Sequence, residues 1–302
     1  MELRQLKYFV KAARTLNFSE AAKQSAITQS TLSQQIRQLE AEMDTQLFRR
    51  DSHRVQLTEE GEALLPYAIA TLSSAETCME RLRDLRQLAA GTLNIGVTYS
   101  FSPILTETVI AFMKRYPKVK LNIYYKTMEE LMDMLTTGEV DFVLAFRPSG
   151  QYDGLESHEL FDNRLAVIVR EGHLLSQKES IQLHELEKYD MALPSKGLQA
   201  RNALDAILAG RHINYHVRIE LNEVNILLKL IKNTDLVTIL SEATIHDIPN
   251  VRAIPLDTEG ETMAGCIHLL RGAYRKHSAT EFMRMLCESD AVRFRRNSWV
   301  GN

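Results

Sequence analysis

The stretch Thr28-Gln-Ser-Thr-Leu-Ser-Gln-Gln-Ile-Arg-Gln-Leu-Glu40 decides the fold of the N-terminal end of this 302-residue chain. From Ala21 to Leu39 there is no Asp or Glu, and most positions between Gln24 and Gln38 are Ser, Thr or Gln. Hydroxyl and amide side chains can hydrogen-bond to phosphates and base edges, and a surface without carboxylates does not repel the DNA backbone. The composition therefore predicts a surface that faces nucleic acid.

The periodicity of the same stretch predicts a helix with two different faces. Apolar residues recur three and four positions apart along one side, and short polar residues recur at the same spacing along the other. The apolar stripe is Leu32, Ile36, Leu39 and Met43, and the polar stripe is Ser30, Ser33, Gln34 and Arg37. Thr28 is expected to cap this helix, because its hydroxyl can accept from free amides of the first turn.

Two more helices are predicted upstream. Leu6, Phe9, Val10 and Ala13 form one apolar stripe, and Ser19 is expected to cap a short helix that carries two small alanines. Three short helices, the last with a polar face, are typical of a helix-turn-helix. The pattern alone also fits any small helical bundle with a solvated Ser/Gln face, because helix-turn-helix spacing is weakly specific.

The order of residues decides between these interpretations. It closely resembles the N-terminal domain of LysR-type transcriptional regulators over about sixty residues. The matching segments are Leu6-x-Tyr-Phe9, Ala13, Phe18-Ser-x-Ala-Ala22, Gln29-Ser-x-Leu-Ser33-x-Gln-Ile-x-x-Leu-Glu40, Leu47-Phe-x-Arg50 and Arg54-x-x-Leu-Thr58-x-x-Gly61. One departure is Asp44, where the family usually has Gly. Asp can also adopt a left-handed or turn conformation, so the assignment stands.

The polar helix face and the basic segment after it supply the expected DNA contacts. Gln29, Ser33 and Gln34 are predicted to read bases. Arg54 is expected in a wing, in or beside the minor groove. The full set of expected DNA-binding residues is Thr28, Gln29, Ser30, Thr31, Ser33, Gln34, Arg37, Arg50 and Arg54.

Charge is distributed unevenly along the chain. Residues 1–58 contain nine Lys/Arg and six Asp/Glu, a net charge of +3, whereas the whole chain carries -3, so the remainder carries -6. A basic end on an acidic body fits a protein that contacts nucleic acid with one end. The hydrophobic content of 45% is sufficient for the cores of two or three domains.

Several features predict a cytoplasmic location. The N-terminus is charged and helical from the start, which argues against a signal peptide, and no apolar run approaches membrane-spanning length. Cys78, Cys266 and Cys287 are few, odd in number and widely spaced, as expected in a reducing compartment.

Residues 59–90 are predicted to form a long linker helix. Its apolar seam alternates spacings of three and four, which is a heptad pattern. The seam consists of Leu65, Ala68, Leu72, Ala75, Met79 and Leu82. Packing of this helix on its own domain is one interpretation. Pairing with another subunit is favoured, because the seam is long, and the resemblance implies a helix that dimerises the DNA-binding domains, in a homodimer or homotetramer.

Residues 91–302 alternate between strand and helix patterns, which predicts parallel sheets with right-handed crossovers. The predicted strands are Leu93–Val97, Val119–Tyr125, Asp141–Phe146, Leu165–Val169, Met191–Leu193, Val217–Leu221, Leu236–Leu240 and Cys266–Leu270. They divide into lobe I (about 91–161 and 267–302) and lobe II (about 162–266), joined by crossovers near 147–161 and 261–267.

The predicted fold class is thus a multidomain α+β chain. It has a winged helix-turn-helix over residues 1–58, the linker helix and a C-terminal two-lobed α/β domain. The resemblance implies that this last domain binds an effector and has a fold like that of periplasmic binding proteins.

Ligands of open parallel sheets bind beyond the carboxyl ends of the strands. That rule selects the expected effector-binding residues Thr98, Ser100, Phe101, Ser102, Lys126, Thr127, Arg147, Ser195 and Lys196. Hydroxyls and amides at helix starts favour an anion. Ser102, followed by Pro103, and Thr127, with Glu130 three residues on, also have a competing role as local helix caps. Ser100 caps nothing obvious and is the best candidate, whereas Arg147 also fits an outward charge at the crossover.

Enzyme chemistry is not predicted. The chain lacks G-x-S-x-G, H-E-x-x-H and G-x-x-x-x-G-K-[ST] motifs. His212 and His216 have the spacing of helical metal ligands but lie in a turn-to-strand region. A small buried apolar role suits Cys266 better than redox sensing. We therefore expect no catalytic residue, no metal and no cofactor.

Two functions remain open at this point. The favoured one is a sequence-specific transcriptional regulator with a double-stranded DNA operator, a small anionic effector and RNA polymerase as partners. The alternative is a cytoplasmic small-molecule sensor whose helical end contacts proteins. Salt-sensitive binding to a palindromic operator would distinguish them.

Overall fold

The computed structural model describes residues 1–51, 54–85, 91–148, 152, 154–245, 248–258, 262–290 and 292–293, with side chains throughout except at 50–51, 54 and 80–85. These residues form two compact units. One is Met1–Leu88 with Thr136–Glu139, and the other is Ala89–Leu135 with Val140–Asn302. Within the described ranges, no helix is both long enough and apolar enough to cross a membrane.

The first unit consists of three short helices, a two-stranded wing and a long helix. Its elements are α1 (Leu3–Thr15), α2 (Phe18–Gln24), α3 (Gln29–Glu42), β1 (Phe48–Asp51), β2 (Arg54–Leu57) and α4 (Glu59–Leu85). The apolar stripes predicted on α1 and α3 meet in one core around Phe9, which packs edge-on against Phe48 of the wing. The predicted winged helix-turn-helix is therefore confirmed.

Local hydrogen bonds explain where these helices begin. The Thr28 hydroxyl accepts from the Thr31 amide at 3.2 Å, as predicted. The prediction for Ser19 is wrong: α2 begins at Phe18, and the cap is Asn17, two residues before Ser19. Asn17 Oδ1 accepts from the Ser19 and Glu20 amides. Asp44 adopts the left-handed conformation expected of it, with φ 49°.

The seam on α4 has two parts with different surroundings. Leu65, Ala68 and Leu72 pack against the core of their own domain. Ala75 is half-buried and the Met79 side chain is 55% exposed. Packing on its own domain therefore accounts for the first half of the seam, and only the second half is left for a partner. The side chain of Leu82 and residues 86–90 lie outside the described part.

Lobe I is built on a five-stranded mixed sheet. Its elements are β3 (Gly91–Val97), α5 (Ser102–Arg115), β4 (Val119–Tyr125), α6 (Met128–Thr136), β5 (Phe142–Phe146), β6 (Leu155–Asn163), β13 (Met263–Leu270) and α9 (His277–Glu288). The strand order is β4-β3-β5-β13-β6. Strands β3, β4 and β5 are parallel, whereas β13 runs antiparallel to both β5 and β6.

Lobe II is built on two sets of strands. Its elements are β7 (Leu165–Arg170), β8 (Ile181–Gln182), β9 (Asp190–Pro194), α7 (Gln199–Leu208), β10 (His216–Leu221), α8 (Val224–Asn233), β11 (Thr238–Ser241) and β12 (Val251–Asp257). The strand orders are β11-β7-β12-β8 and β10-β9, and a bridge between Met191 and Val237 joins the two sets. The buried residues of β7 and α8 form the centre of this core.

Each predicted strand is present, with ends displaced by up to three residues. The crossover expected near 147–161 instead contains β6, which pairs with β13 as an antiparallel ribbon between the lobes. Strands β8 and β12 were also not predicted. Strand β8 has only two residues, and β6 alternates between buried and exposed residues only weakly, so neither carries much periodic signal.

Candidate functional sites

The polar face of α3 is exposed as the sequence predicts. Leu32, Ile36 and Leu39 are fully buried, and they hold the helix against the domain core. The exposed side chains of α3 include Gln29, Ser30, Thr31, Gln34, Arg37 and Gln38, and Ser33 is half-buried among them. The structure thus presents the amides, the hydroxyls and one guanidinium of the predicted set on one helix surface.

Short hydrogen bonds order the two ends of this surface. Thr28 Oγ1 lies 2.9 Å from Ser30 Oγ and 2.8 Å from Thr31 Oγ1. One turn further along, Arg37 donates from its guanidinium to the Ser33 carbonyl at 3.3 Å and to Ser33 Oγ at 3.4 Å. The arginine therefore lies beside Ser33, where it can place a positive charge close to a bound phosphate.

The carboxylate of Glu40 is occupied by the backbone of the wing. Its Oε1 accepts from the Leu47 amide at 2.9 Å and from the Phe48 amide at 3.3 Å. This acid therefore ties the start of the wing to the end of α3. The strands of the wing carry Arg50 and Arg54, whose side chains lie outside the described part.

Gly61 is required where α4 begins beside the wing. Thr58 Oγ1 donates to the Gln46 carbonyl at 2.6 Å and accepts from the Gly61 amide at 3.0 Å. A Cβ on Gly61 would lie 2.2 Å from the Leu47 carbonyl oxygen, closer than atoms can approach. The Thr-x-x-Gly pattern is explained by this close backbone packing.

A narrow cleft with a free volume of about 30 Å³, partly open to solvent, lies between the two lobes; we call it the small cleft. The ends of β3, β4 and β9 and the starts of α6, α7 and α8 meet there. Its lining residues are Thr98, Tyr99, Ser100, Lys126, Thr127, Met128, Pro194, Gly197, Leu198, Gln199, Ala200, Val224, Leu240 and Thr244. Hydroxyls come mainly from the lobe I side, and apolar side chains come mainly from lobe II.

Two hydroxyls in the small cleft are available for a ligand. Ser100 is 7% exposed and Thr244 is 3% exposed, and both line the cleft. Among the described residues, neither hydroxyl has a hydrogen-bond partner. In the part of the chain that the structure describes, Thr238 Oγ1 is the only fully buried side-chain polar atom without a partner, so the Ser100 and Thr244 hydroxyls open onto the cleft. Each can donate to, or accept from, a ligand that enters it.

The cations near the small cleft are already paired. Lys126 Nζ lies 2.9 Å from Glu130 Oε1, and hydrogen bonds from Lys126 and Thr127 lower the pKa of Glu130 to about 2. The Thr127 amide donates to Glu130 Oε2 at 3.0 Å, and the Glu130 amide donates to Thr127 Oγ1 at 3.4 Å, which is the predicted capping box. Lys196 is exposed and does not line the cleft.

Tyr99 lines the small cleft and connects the two lobes. The Tyr99 hydroxyl in lobe I donates to Asn225 Oδ1 at the start of α8 in lobe II. Burial, with the negative charge of Glu223, raises the pKa of Tyr99 to about 12, so the hydroxyl keeps its proton. The Tyr125 hydroxyl lies 3.0 Å from Ser102 Oγ. The prediction that Ser102 caps α5 is therefore wrong: its backbone is already helical, continuing from a 3₁₀ turn at Tyr99–Phe101.

A second, wider cleft with a free volume of about 940 Å³, open to solvent, adjoins the first; we call it the large cleft. It is lined by four carboxylates, Glu129, Asp133, Glu159 and Asp162, and by Arg147. Arg147 lies 2.5 Å from Glu159, so its charge is paired. Thr127, Met128, Gly197 and Gln199 line both clefts.

The structure separates the predicted effector residues into groups. Thr98, Ser100, Lys126 and Thr127 come together in the small cleft. Arg147 lies in the large cleft, whereas Ser195 and Lys196 precede the small cleft's Gly197 without lining either cleft.

The prediction that Phe101 binds the effector is wrong. Its side chain is fully buried in the core of lobe I, 5.3 Å from the Phe146 ring and 5.5 Å from the Phe161 ring, because the 3₁₀ turn points it inward.

Three polar side chains that line the small cleft were not predicted, those of Tyr99, Gln199 and Thr244. Tyr99 lies between the selected residues Thr98 and Ser100 but was not itself selected. Gln199 is the first residue of the predicted helix α7. Thr244 follows β11 in a short 3₁₀ turn, and no sequence pattern marks it. A search for side chains before helix starts on both lobes could have found Gln199, but not Thr244.

The described residues contain no group of three or more His, Cys, Asp or Glu side chains that could hold a metal. His216 Nδ1 lies 2.5 Å from Asp190 Oδ1, as part of a surface pair. Cys266 is buried, and burial raises the pKa of its thiol to about 11, so the thiolate is disfavoured. Burial of Cys266 therefore fits the small apolar role that the sequence analysis favoured for it.

Known proteins resemble both units. The family model described as LysR substrate binding domain matches residues 86–290. The model described as bacterial regulatory helix-turn-helix protein, lysR family, matches residues 3–62. The RuBisCO operon transcriptional regulator of Allochromatium vinosum is 27% identical over 300 residues, 95% of this chain and 98% of that protein. The HTH-type transcriptional regulator EstR of Acinetobacter baylyi is 30% identical over 249 residues, 81% of each chain.

The fold is shared with a solved complex. Full-length CbnR complexed with its target DNA superposes with a TM-score of 0.66 at 20% identity, covering 97% of this chain and 99% of that one. The family matches decide against the alternative of a sensor whose helical end contacts proteins. The chain belongs to the LysR family of DNA-binding transcriptional regulators, with an N-terminal helix-turn-helix and a C-terminal effector-binding domain.

Proposed function

We propose that a small anionic molecule, bound in the small cleft, controls operator binding by this LysR-type regulator. The observation that supports this most is the pair of unpartnered hydroxyls, Ser100 and Thr244. Two further hydroxyls in this cleft already donate within lobe I, that of Thr98 to the Leu144 carbonyl at 3.4 Å and that of Thr127 to Glu130 Oε2 at 2.9 Å. A carboxylate or oxyanion would therefore accept from Ser100 and Thr244, and its short apolar part would contact Leu198, Val224 and Leu240.

The charges around the cleft set a limit on this ligand. Lys126 is paired with Glu130, so the cation that sequence reasoning chose is largely neutralised. Recognition by hydroxyls alone suits a singly charged anion better than a polyanion. A ligand held by both lobes binds the closed form best, and this differential affinity would shift the lobe angle that the regulator senses.

We also propose that the α3 face reads the operator. Gln29, Ser33 and Gln34 would contact bases, and Thr28, Ser30, Thr31 and Arg37 would lie at phosphates. The wing would add Arg50 and Arg54, and Arg54→Ala should flatten the dependence of log affinity on log salt by about one unit. The protein would act as a homodimer or homotetramer, with RNA polymerase as a further partner, in the cytoplasm.

Thermal shift of the full-length protein tests the ligand proposal. Acetate, propionate, sulfate and phosphate are compared with chloride, because a ligand that binds only the native state raises the melting temperature. The positive anion is then added to an operator footprint. Stabilisation by a cation or by a large apolar compound, with none by any anion, would contradict the proposal.

A further inference from the structure

The end of β5 leaves part of one strand edge without a neighbouring strand. Strand β3 pairs with β5 up to the Thr98 amide, which donates to the Leu144 carbonyl at 2.9 Å. After that point the chain leaves the sheet in a 3₁₀ turn. On the other edge, the Arg147 amide donates to the Ala264 carbonyl at 2.8 Å. The backbone N–H and C=O groups of successive residues in a strand point to opposite sides of it. Those of Phe146 therefore point towards the side on which β3 no longer runs.

Gln199 fills this gap from the other lobe. Its Oε1 accepts from the Phe146 amide at 3.2 Å, and its Nε2 donates to the Phe146 carbonyl at 3.3 Å. Nε2 also lies 3.6 Å from Met128 Sδ. The side-chain amide therefore pairs with β5 as a peptide of a further strand would. Gln199 begins α7 in lobe II, whereas Phe146 and Met128 belong to lobe I, so these bonds join the lobes.

The same side chain lies where the two clefts meet. Gln199 and Met128 line both the small and the large cleft, and so do Thr127 and Gly197. A Cβ on Gly197 would lie 3.7 Å from Thr127 Cγ2, so the lobes are in close approach here. On the opposite side of the small cleft, the hydrogen bond from Tyr99 to Asn225 makes a second connection between the lobes.

We infer that Gln199 is a positioning residue that holds the lobes together at the junction of the two clefts and thereby limits the size of ligand the small cleft accepts. The inference about size rests on the proposed function, whereas the inference about lobe closure does not. When Gln199 is shortened, Phe146 loses its partner across the lobes, and the small cleft opens into the large cleft. The lobes then sample wider separations, and longer ligands fit.

The first experiment measures lobe separation without a ligand. Spin labels are placed at exposed Lys118 in lobe I and Lys229 in lobe II of the full-length protein, with the three native cysteines replaced by serine and labelled chains diluted with unlabelled ones. Distances are compared for wild type, Gln199→Ala and Gln199→Glu, with exposed Gln177→Ala as the matched control.

The distance distribution should move outward by more than about 2 Å in Gln199→Ala, which is the scale of a domain rearrangement. It should move less in Gln199→Glu, which keeps the acceptor for the Phe146 amide but loses the donor for the carbonyl. It should not move in Gln177→Ala. An unchanged distribution in Gln199→Ala would overturn the role in closure.

The second experiment measures the size limit. Thermal shifts are recorded with straight-chain carboxylates of two to eight carbons. Wild type should respond to the shortest acids only, and Gln199→Ala should respond to longer ones. The same length profile in both proteins would overturn the size limit. If wild type responds to no carboxylate, the anion proposal is the part that fails, and the distance measurement still decides the role of Gln199 in closure.

Discussion

The α3 face and the small cleft are both polar surfaces, but the chain builds them in different ways. The α3 face comes from one continuous helix, in which residues three and four apart share a side. The small cleft draws on six segments, from Thr98 to Thr244, which lie up to 146 residues apart. A surface from one helix needs only that its apolar side be buried, whereas a surface from six segments needs both lobes correctly packed and closed. Substitutions can test how far this difference extends.

The largest effect is expected from a substitution on the apolar side of α3, because burial of that side holds the helix in the domain. Ile36 is fully buried on the apolar stripe of α3, so Ile36→Ala should reduce the free energy of unfolding by about 2–5 kcal/mol. Urea denaturation monitored by circular dichroism measures the loss. The exposed neighbour Gln38→Ala should change stability by less than about 0.5 kcal/mol. Equal losses in the two variants would mean that the helix is not held by its apolar side.

In the small cleft, removal of the unpartnered hydroxyls should weaken the ligand more than the fold. Ser100→Ala and Thr244→Val should each reduce affinity for an anion by about 1.5–3 kcal/mol, because a hydrogen bond to a charged group is lost. Isothermal titration calorimetry measures this, and basal operator binding should stay nearly unchanged. Thr106→Val, outside the cleft, is the control. Normal ligand affinity in both cleft variants would show that the ligand binds elsewhere.

On the α3 face, Ser33→Ala should reduce discrimination between operator and altered sequences by about 1–3 kcal/mol if its hydroxyl contacts a base. Arg37 hydrogen-bonds to Ser33. The Arg37→Ala variant should instead bind all DNA sequences more weakly by a similar factor, without a change in sequence preference. Competition footprinting with operator variants separates the two. Unchanged operator preference in Ser33→Ala and Gln29→Ala would reject the assignment of base contacts.

In sequence the linker helix separates the two regions, and the exposed half of its apolar seam can be tested alone. Asp at Met79 should shift the protein towards smaller oligomers, because a charge in an apolar seam must be desolvated. Asp at Leu72 is unsuitable for this purpose, since Leu72 packs on its own domain and the variant would also unfold it. Light scattering that shows the same mass for Met79→Asp as for wild type would remove Met79 from the subunit contact.

The smallest effect concerns acid stability beside the small cleft. The pKa of Glu130 is lowered to about 2 in the folded protein, below its ordinary 4.5. Its contribution to stability is therefore present above pH 4.5 and is lost as the pH falls from about 4.5 towards 2. The side chain is 48% exposed, so solvent screening keeps the contribution below about 1 kcal/mol. Thermal melts of wild type and Glu130→Gln should differ at pH 6, and the difference should shrink as the pH falls from about 4.5 towards 2; a constant difference would contradict the assignment.

The sequence by itself determined the features that depend on neighbours along the chain. Spacing along the chain predicted the helix-turn-helix, the polar face of α3, the Thr28 cap and the box at Thr127 and Glu130. It also predicted the strands of both lobes except β6, β8 and β12. The left-handed turn at Asp44 was predictable for the same reason, since it depends on backbone conformation at one residue.

Only the tertiary structure decided which side chains meet across the lobes. Phe101 and Ser100 are adjacent in sequence, yet one enters the core and the other faces the small cleft. Thr244 and Gln199 enter the clefts from distant segments, and the first half of the α4 seam is used within its own domain. Contacts between segments that are far apart in sequence produce no periodic pattern, because packing and not spacing along the chain determines which residues meet.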